Sequence, residues 1–303
     1  MSQVGERATS FWQRLLRGVC RTRARADWKE FAGNDWAQRI MQVDVTDQFH
    51  AKQGRSTGRW VVEAEGKRLA VFLKRHYRLP WWQGWLAMLW PGKGWSPAMQ
   101  EWRNLKWARS QGLPVPDKVA VAEYIGPWGK LQSFLAIEEL AGMLPLHEAI
   151  PQAARLLEPA TFRRWKKNLT AELARLARDL HDRCFFHKDL YLCHFFIPKT
   201  DLDRLVDFHG RVHLIDLHRL AHHPWARLRW QVKDLAQLLY SSEMVGVEAR
   251  DRLLFWRMYQ GQGPRARWLE RLIRFKWRRY RGHNLKKTVV SRDAESSERS
   301  AEP

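Results

Sequence analysis

The sequence predicts an α+β chain of two lobes, a small β-rich one followed by a larger helical one, and three observations carry that expectation. Four short β-rich runs crowd between Trp60 and Ile137 around one helical stretch. From residue 161 onward, apolar residues recur with a helical period in long segments. The chain's 303 residues are enough for two cores at roughly 100–200 residues per domain. The expected organisation is an N-terminal basic segment over 1–30, an N-lobe over 31–140, a C-lobe over 141–288 and a disordered tail over 289–303, with a cleft near residues 138–144.

Within residues 9–30, Phe11, Trp12, Leu15, Leu16 and Val19 fall at helical spacing, with Arg14, Arg17, Arg21, Arg23 and Arg25 between them. The pattern predicts a basic amphipathic helix, which either adsorbs to an anionic membrane or caps a lobe with a solvated basic side. Residues 59–65 and 68–74 are β-rich runs separated by Gly66-Lys67, a hairpin signal. Trp81 to Trp90 form a Trp-rich insert that either packs in the core or dips into a bilayer interface. Ser96-Pro97 opens a helix that carries Glu101 and stops at Gly112, and strands near 117–123 and 131–137 complete the first lobe.

The second lobe begins with a helix over 161–182, whose Trp165, Leu169, Leu173, Leu176 and Leu180 form one stripe. Apolar runs Leu192 to Ile197 and Val212 to Leu217 bracket a polar loop that turns at His209-Gly210. Helices are expected at 225–242, 248–260 and 265–281, the last ringed by arginines. That last helix is either a packed element with a solvated face or a docking element for anionic lipid or saccharide, with nucleic acid a weaker competitor. From Ser291 onward apolar periodicity is lost.

Lys and Arg number 53 against 32 Asp and Glu, a net charge of +21, so an anionic partner is expected. Eighteen Trp residues tilt that partner toward lipid, because indole favours surfaces with one apolar and one wet side. Cys20, Cys184 and Cys193 are odd in number and irregular in spacing, which points to a reducing, cytosolic setting. The run from Trp81 to Trp90 is too short to span a bilayer, and no secretory signal pattern is expected at the N-terminus. Ten His and Cys between His181 and His223 lack the paired spacing of a zinc site.

Four charged residues stand where apolar segments end, in the order Lys74, Glu101, Asp189 and Asp216. Phosphoryl transfer asks for a cation on the nucleotide phosphates, an anion that holds it, a carboxylate for the acceptor hydroxyl and a carboxylate for Mg²⁺. The chain supplies one of each, in protein-kinase-like order.

The segments FLK (72–74), EW (101–102), FFHKDLYLCHFFI (185–197) and HLIDLHRL (213–220) carry a further resemblance. The chain resembles the lipopolysaccharide kinase family, bacterial enzymes with the kinase fold that phosphorylate inner-core heptose or Kdo sugars, over about residues 50–240. The resemblance implies a two-lobed protein-kinase-like fold and the use of ATP and Mg²⁺. It implies that Lys74 holds the α- and β-phosphates, Glu101 orients Lys74, Asp189 is the base and Asp216 binds the metal. His194 stands where most kinases carry a metal-binding Asn and is a candidate second metal or phosphate contact. Asp216-Leu217-His218 replaces Asp-Phe-Gly. Glycines Gly54 and Gly58, with Arg55 and Ser56, are the candidates for the phosphate-covering loop, since no GxGxxG is present. The nucleotide base is expected at Glu138-Glu139-Leu140, with Glu139 and Leu140 as contacts. Asp207-Phe208-His209-Gly210 imitates Asp-Phe-Gly but is expected to be a turn.

The acceptor implied is a lipid-linked, anionic lipopolysaccharide core oligosaccharide, a heptose in particular, reached from the cytoplasmic face of the inner membrane through peripheral contact with anionic lipid. Alternatives are a kinase for Kdo or a small acceptor, and a non-catalytic pseudokinase scaffold. Nucleic acid is not an expected partner.

Overall fold

In a computed structural model, residues 10–43, 47–48, 54–260 and 267–282 are described. The chain divides into two compact units, one of residues 1–141 with Asp216–His218, the other of Gly142–Ile215 with the residues from Arg219 on. The expected tail over 289–303 lies outside the described residues.

The first unit is built on a six-stranded antiparallel sheet. Its strands are β1 (Val19–Ala24), β2 (Asp47–Gln48), β3 (Arg55–Ala64), β4 (Lys67–His76), β5 (Lys118–Ile125) and β6 (Leu131–Glu138), in spatial order β1-β5-β6-β4-β3-β2. The β3–β4 hairpin closes on Glu65 and Gly66, both at positive φ (50° and 75°). Two such residues between paired strands match the turn whose twist suits a two-residue hairpin.

One core cluster gathers Trp28, Trp36, Ile40, Val71, Leu73 and Phe134. Trp28 and Trp36 come from the short helices α2 (Trp28–Ala32) and α3 (Trp36–Arg39), and Trp36 meets Phe134 edge-on at 5.6 Å. A second cluster joins Leu15 of α1 (Phe11–Leu16) to Ala87 and Met88 of α4 (Trp81–Leu89) and to Ile125 and Leu131. Helix α5 (Pro97–Ser110) starts as expected, its Ser96 hydroxyl accepting the Met99 N–H at 3.4 Å.

Three expectations fail in this unit. Residues 9–30 are not one amphipathic helix: α1 ends at Leu16, Gly18 turns the chain at φ 74°, and Val19–Ala24 pairs with β5 as an edge strand. Helical spacing over Phe11–Val19 outweighed the period-2 spacing of Arg21, Arg23 and Arg25, which is the strand's own signature. Nor is Arg14 a solvated base: it is buried, and its Nε donates to the Met88 carbonyl at 2.8 Å. Gly58 does not precede the first strand of the hairpin but lies within β3, paired with Leu73 on one side and Gln48 on the other. A glycine flanked by two strands is tolerated where backbones approach closely.

The second unit holds α6 (Leu146–Leu156), α7 (Pro159–Asp182), α8 (Arg227–Ser241), α9 (Ala249–Gln260) and helical residues 267–282. Small ribbons lie among them: β7 (Met143–Pro145), β9 (Phe195–Pro198) and β10 (His213–Leu214) form one sheet, and β8 (Phe185–Phe186) pairs with β11 (Ala221–His222). The α7 stripe is as expected, with Trp165, Leu169, Leu173, Leu176 and Leu180 all buried. The apolar runs 192–197 and 212–217 yield shorter strands than expected, because Leu192–His194 and Leu217–Arg219 coil into single 3₁₀ turns. A cavity of about 360 Å³ opens among Leu169, Leu173, Leu235, Leu238, Trp256 and Ile273. Among the described residues no helix is long and apolar enough to cross a membrane.

Candidate active site

In the first unit, Lys74 near the end of β4 donates to Glu101 Oε1 at 2.7 Å and to Asp216 Oδ1 at 2.8 Å. β4 alternates buried Leu69, Val71 and Leu73 with residues on its other face, and Lys74 falls on that other face with its side chain only 13% exposed. Glu101 sits one turn into α5, and Asn104 follows three residues later on the same face, donating to the Leu217 carbonyl at 2.7 Å. One helix face therefore fixes both the lysine's partner and the Asp216–His218 turn. His218 Nδ1 donates to Asp216 Oδ1 at 2.9 Å.

Burial alone would raise the Asp216 carboxyl, but the His218 hydrogen bond and the Lys74 charge outweigh it and hold the group well below the usual carboxylate range. For Lys74 burial pushes downward, and the charges of Glu101 and Asp216 overcome it, so the ammonium is held above its ordinary value. Asp216 adopts φ 61°, a conformation a non-glycine residue takes only when its surroundings impose it.

In the second unit, Asp189 follows Lys188, which is also left-handed at φ 65°. Arg219 Nη1 donates to Asp189 Oδ2 at 2.8 Å, Gln237 Nε2 donates to Oδ1 at 3.3 Å, and Lys233 Nζ stands 3.8 Å away. The loop's backbone is gripped by one face of α8. The fully buried Asp234 accepts the His187 N–H at 2.8 Å and the Lys188 N–H at 2.7 Å. Gln237 accepts from the Leu190 N–H at 3.3 Å, and Ser241 Oγ accepts from the Leu192 N–H at 3.0 Å. His194 Nδ1 donates to the Asp189 carbonyl at 2.7 Å, and its ring stands 5.6 Å from that of His187.

A family model described as the lipopolysaccharide kinase (Kdo/WaaP) family matches residues 47–259. The chain belongs to that family. Lys74, Glu101, Asp189 and Asp216 all lie in the matched span, and the two-unit α+β fold is protein-kinase-like, as expected.

Among relatives of this lipopolysaccharide kinase, the lipopolysaccharide core heptose(I) kinase WaaP of Pseudomonas aeruginosa is 32% identical over 211 residues, 70% of this chain and 75% of the relative. WaaP of Escherichia coli K12 is 31% identical over 129 residues, 43% of this chain and 47% of that protein. A solved structure described as WaaP in complex with acyl carrier protein covers 88% of this chain and 98% of its own, at 25% identity and a TM-score of 0.61.

Gly54 turns the chain into β3 at φ 83°, and its carbonyl accepts from Tyr77 N–H at 2.9 Å. The buried Ser56 faces Arg75 at 3.4 Å, while Arg55 is exposed. The Glu139 carboxylate takes a two-pronged bond from Arg59 at 2.9 Å, and its N–H donates to the Ala70 carbonyl at 2.9 Å. The imitation motif is a turn as expected: Phe208 is buried edge-on to Trp165 at 5.2 Å, and the Gly210 N–H donates to Glu172 at 3.0 Å. Among the described residues no three His, Cys, Asp or Glu side chains gather in a metal-holding group.

Asn104, Arg219, Asp234 and Gln237 were not singled out from the sequence, and His218 was marked there only as the last residue of the Asp-Leu-His stretch. The signal for Asp234 was present: a carboxylate beside Leu235 and Leu238 on the apolar stripe of a helix needs buried donors to satisfy it.

Proposed function

We propose that this lipopolysaccharide kinase transfers the γ-phosphoryl group of ATP to a hydroxyl of an inner-core heptose. The observation that carries the reading is the paired bonding of Lys74 to Glu101 and Asp216, which holds an ammonium ready for nucleotide phosphates. The heptose follows from the names of the relatives, which are heptose(I) kinases.

In this mechanism Lys74 engages the α- and β-phosphates, and Glu101 keeps it extended. Asp216 offers oxygen donors held in the ionised form, a donor type that suits Mg²⁺. Mg²⁺ held there by Asp216 would offset the negative charge of the nucleotide phosphates. His194 donates its Nδ1–H to the Asp189 carbonyl, which fixes the ring and helps shape the loop; a contact of this residue to metal or phosphate would be made through Nε2. Glu139 likewise has its N–H engaged, so the purine edge would be met by the backbone of Leu140 and its neighbours.

Asp189 accepts the acceptor's hydroxyl proton as the sugar oxygen bonds to the γ-phosphorus, and the bond from phosphorus to the β–γ bridging oxygen breaks to release ADP. Arg219 and Gln237 hold the Asp189 carboxylate in one orientation.

A contiguous aromatic face in the first unit supports peripheral membrane contact. Trp12 and Leu16 on α1, Trp81, Trp82 and Trp85 on α4, and Trp128 are all exposed. The segments touch: the Leu15 carbonyl accepts the Trp128 N–H at 3.1 Å, and the Trp85 ring lies against Gly129. Residues 10–24, 78–100 and 126–132, which build this face, contain basic residues and no Asp or Glu. An apolar, acid-free, Trp-rich face suits the interface of an anionic bilayer.

The test is to incubate the protein with ATP, Mg²⁺ and dephosphorylated lipopolysaccharide core and to locate the product phosphate by mass spectrometry. Phosphate on a heptose hydroxyl is expected. Phosphate on another sugar would move the acceptor assignment, and no phosphate would overturn the enzymatic reading.

A further inference from the structure

Beside Asp189, in the same unit, lies a cluster that the transfer step itself does not use. Three cations surround one indole: Lys188 Nζ lies 4.8 Å from the Trp230 ring, Arg229 5.0 Å and Lys233 5.6 Å, while His223 stacks on that ring at 5.1 Å. Each of these contacts is favourable singly, but three positive groups about one ring repel one another. Among the described residues no carboxylate forms an ion pair with Lys188 or Arg229, and Asp234 nearby is buried and bonded to backbone N–H groups. Burial, with the charge of Arg219, keeps the Lys188 amine below its ordinary value despite Asp234 and Asp189. Trp225, two residues past His223, is wholly exposed, and Leu228 is 42% exposed.

We infer that this surface binds an acidic sugar of the acceptor, one bearing a carboxylate or phosphate near the hydroxyl that Asp189 serves; the inference rests on the kinase reading above. An anion would give Lys188 and Arg229 the countercharge that no carboxylate among the described residues supplies, and the wholly exposed Trp225 suits the C–H face of a sugar ring. The acceptor is favoured over the nucleotide by continuity with the base. Lys188 precedes Asp189 in the chain, and Lys233 both donates to the Lys188 carbonyl and stands 3.8 Å from Asp189. An anion held by these two amines lies within one sugar residue of a hydroxyl on Asp189.

The test uses the full chain with dephosphorylated lipopolysaccharide core, its carboxyl-reduced form, and core that keeps its phosphates. Steady-state transfer and calorimetric binding of each core are measured for wild type, Lys188→Gln, Arg229→Gln and Lys188→Arg. Each Gln variant is expected to raise the KM for acidic core about tenfold, leave the KM for ATP unchanged, and bind acidic core about tenfold more weakly. Lys188→Arg restores both values, which separates loss of charge from loss of fold. Carboxyl-reduced core binds wild type about tenfold more weakly, and the Gln variants weaken it no further; if retained phosphates restore its binding, phosphate is the preferred anion. A rise in KM for ATP instead, or equal binding of acidic and neutral cores by wild type, overturns the inference. Binding of acidic core without transfer would count against the kinase reading alone, and transfer without charge discrimination against this inference alone.

Discussion

Replacing Asp234 by Asn tests how the loop that carries Asp189 is held. The carboxylate accepts two backbone N–H groups at 2.8 and 2.7 Å from a fully buried position, and His181 Nε2 lies 3.4 Å from it. Hydrogen bonds to a charged group contribute roughly 1.5–3 kcal/mol each, and a buried donor left unmet costs about as much. Asn keeps the shape and one accepting oxygen, but turns an amide NH₂ toward the other backbone donor, so about 2–4 kcal/mol is lost. If that loss falls on the placement of Asp189, kcat drops roughly 30- to 1000-fold. The melting temperature falls by roughly 5–10 °C for a unit of this size. The KM for ATP stays within about twofold, since the lysine assigned to the nucleotide phosphates is fixed by Glu101 and Asp216 instead. Steady-state kinetics and thermal melting read all three. Wild-type kcat and melting in Asp234→Asn would show that this carboxylate does not hold the Asp189 loop, as would a raised KM for ATP with kcat intact.

Three further outcomes follow from the same geometry. His76 is buried, and burial, with the charges of Arg55, Lys74 and His218, lowers its pKa from 6.5 to about 4; the unfolded chain therefore binds a proton that the folded one refuses between those values. Stability should fall by up to about 3 kcal/mol as pH drops from about 7 to about 4, and urea denaturation of His76→Gln should show a smaller acid loss; an equal loss would contradict this. A Cβ on Gly84 would sit 1.7 Å from the Gly129 carbonyl, so Gly84→Ala should destabilise the first unit by about 2 kcal/mol or more, seen as an earlier melt; unchanged melting would show that α4 moves freely there. Trp81, Trp82 and Trp85 changed together to Ser should cut sedimentation with anionic liposomes while ATP binding persists, and undiminished sedimentation would remove the membrane role of this face.

Lys74, Glu101 and the second-unit helices were legible because each sits on a segment whose periodicity is unambiguous. Lys74 lies near the end of an alternating strand, Glu101 follows a Ser-Pro helix start, and α7 repeats its apolar stripe over 24 residues. The edge strand β1 was illegible for a physical reason. It buries little of either face, so no apolar alternation marks it, and only its arginines repeat at period two. Gly58 misled because a glycine inside a doubly paired strand resembles a loop glycine until its partners on both sides are known. The grip of α8 on the Asp189 loop spans 46 and 47 residues in sequence for the two Asp234 bonds, so nothing local records it. Arg219 finds its partner Asp189 30 residues away, which tertiary folding alone sets, whereas His218 bonds Asp216 two residues back, in a turn that only the φ of 61° at Asp216 makes possible.

In the proposed function, Lys74, Asp189 and Asp216 serve one phosphoryl transfer to a core sugar. This is tested most directly by transfer from γ-labelled ATP to dephosphorylated lipopolysaccharide core by wild type, Lys74→Met, Asp189→Ala and Asp216→Asn, each first shown to melt cooperatively. Labelled core is expected with wild type and with none of the three variants. Label appearing at the wild-type rate with Asp189→Ala, or absent with wild type despite clear binding of ATP and Mg²⁺, would contradict the proposed function.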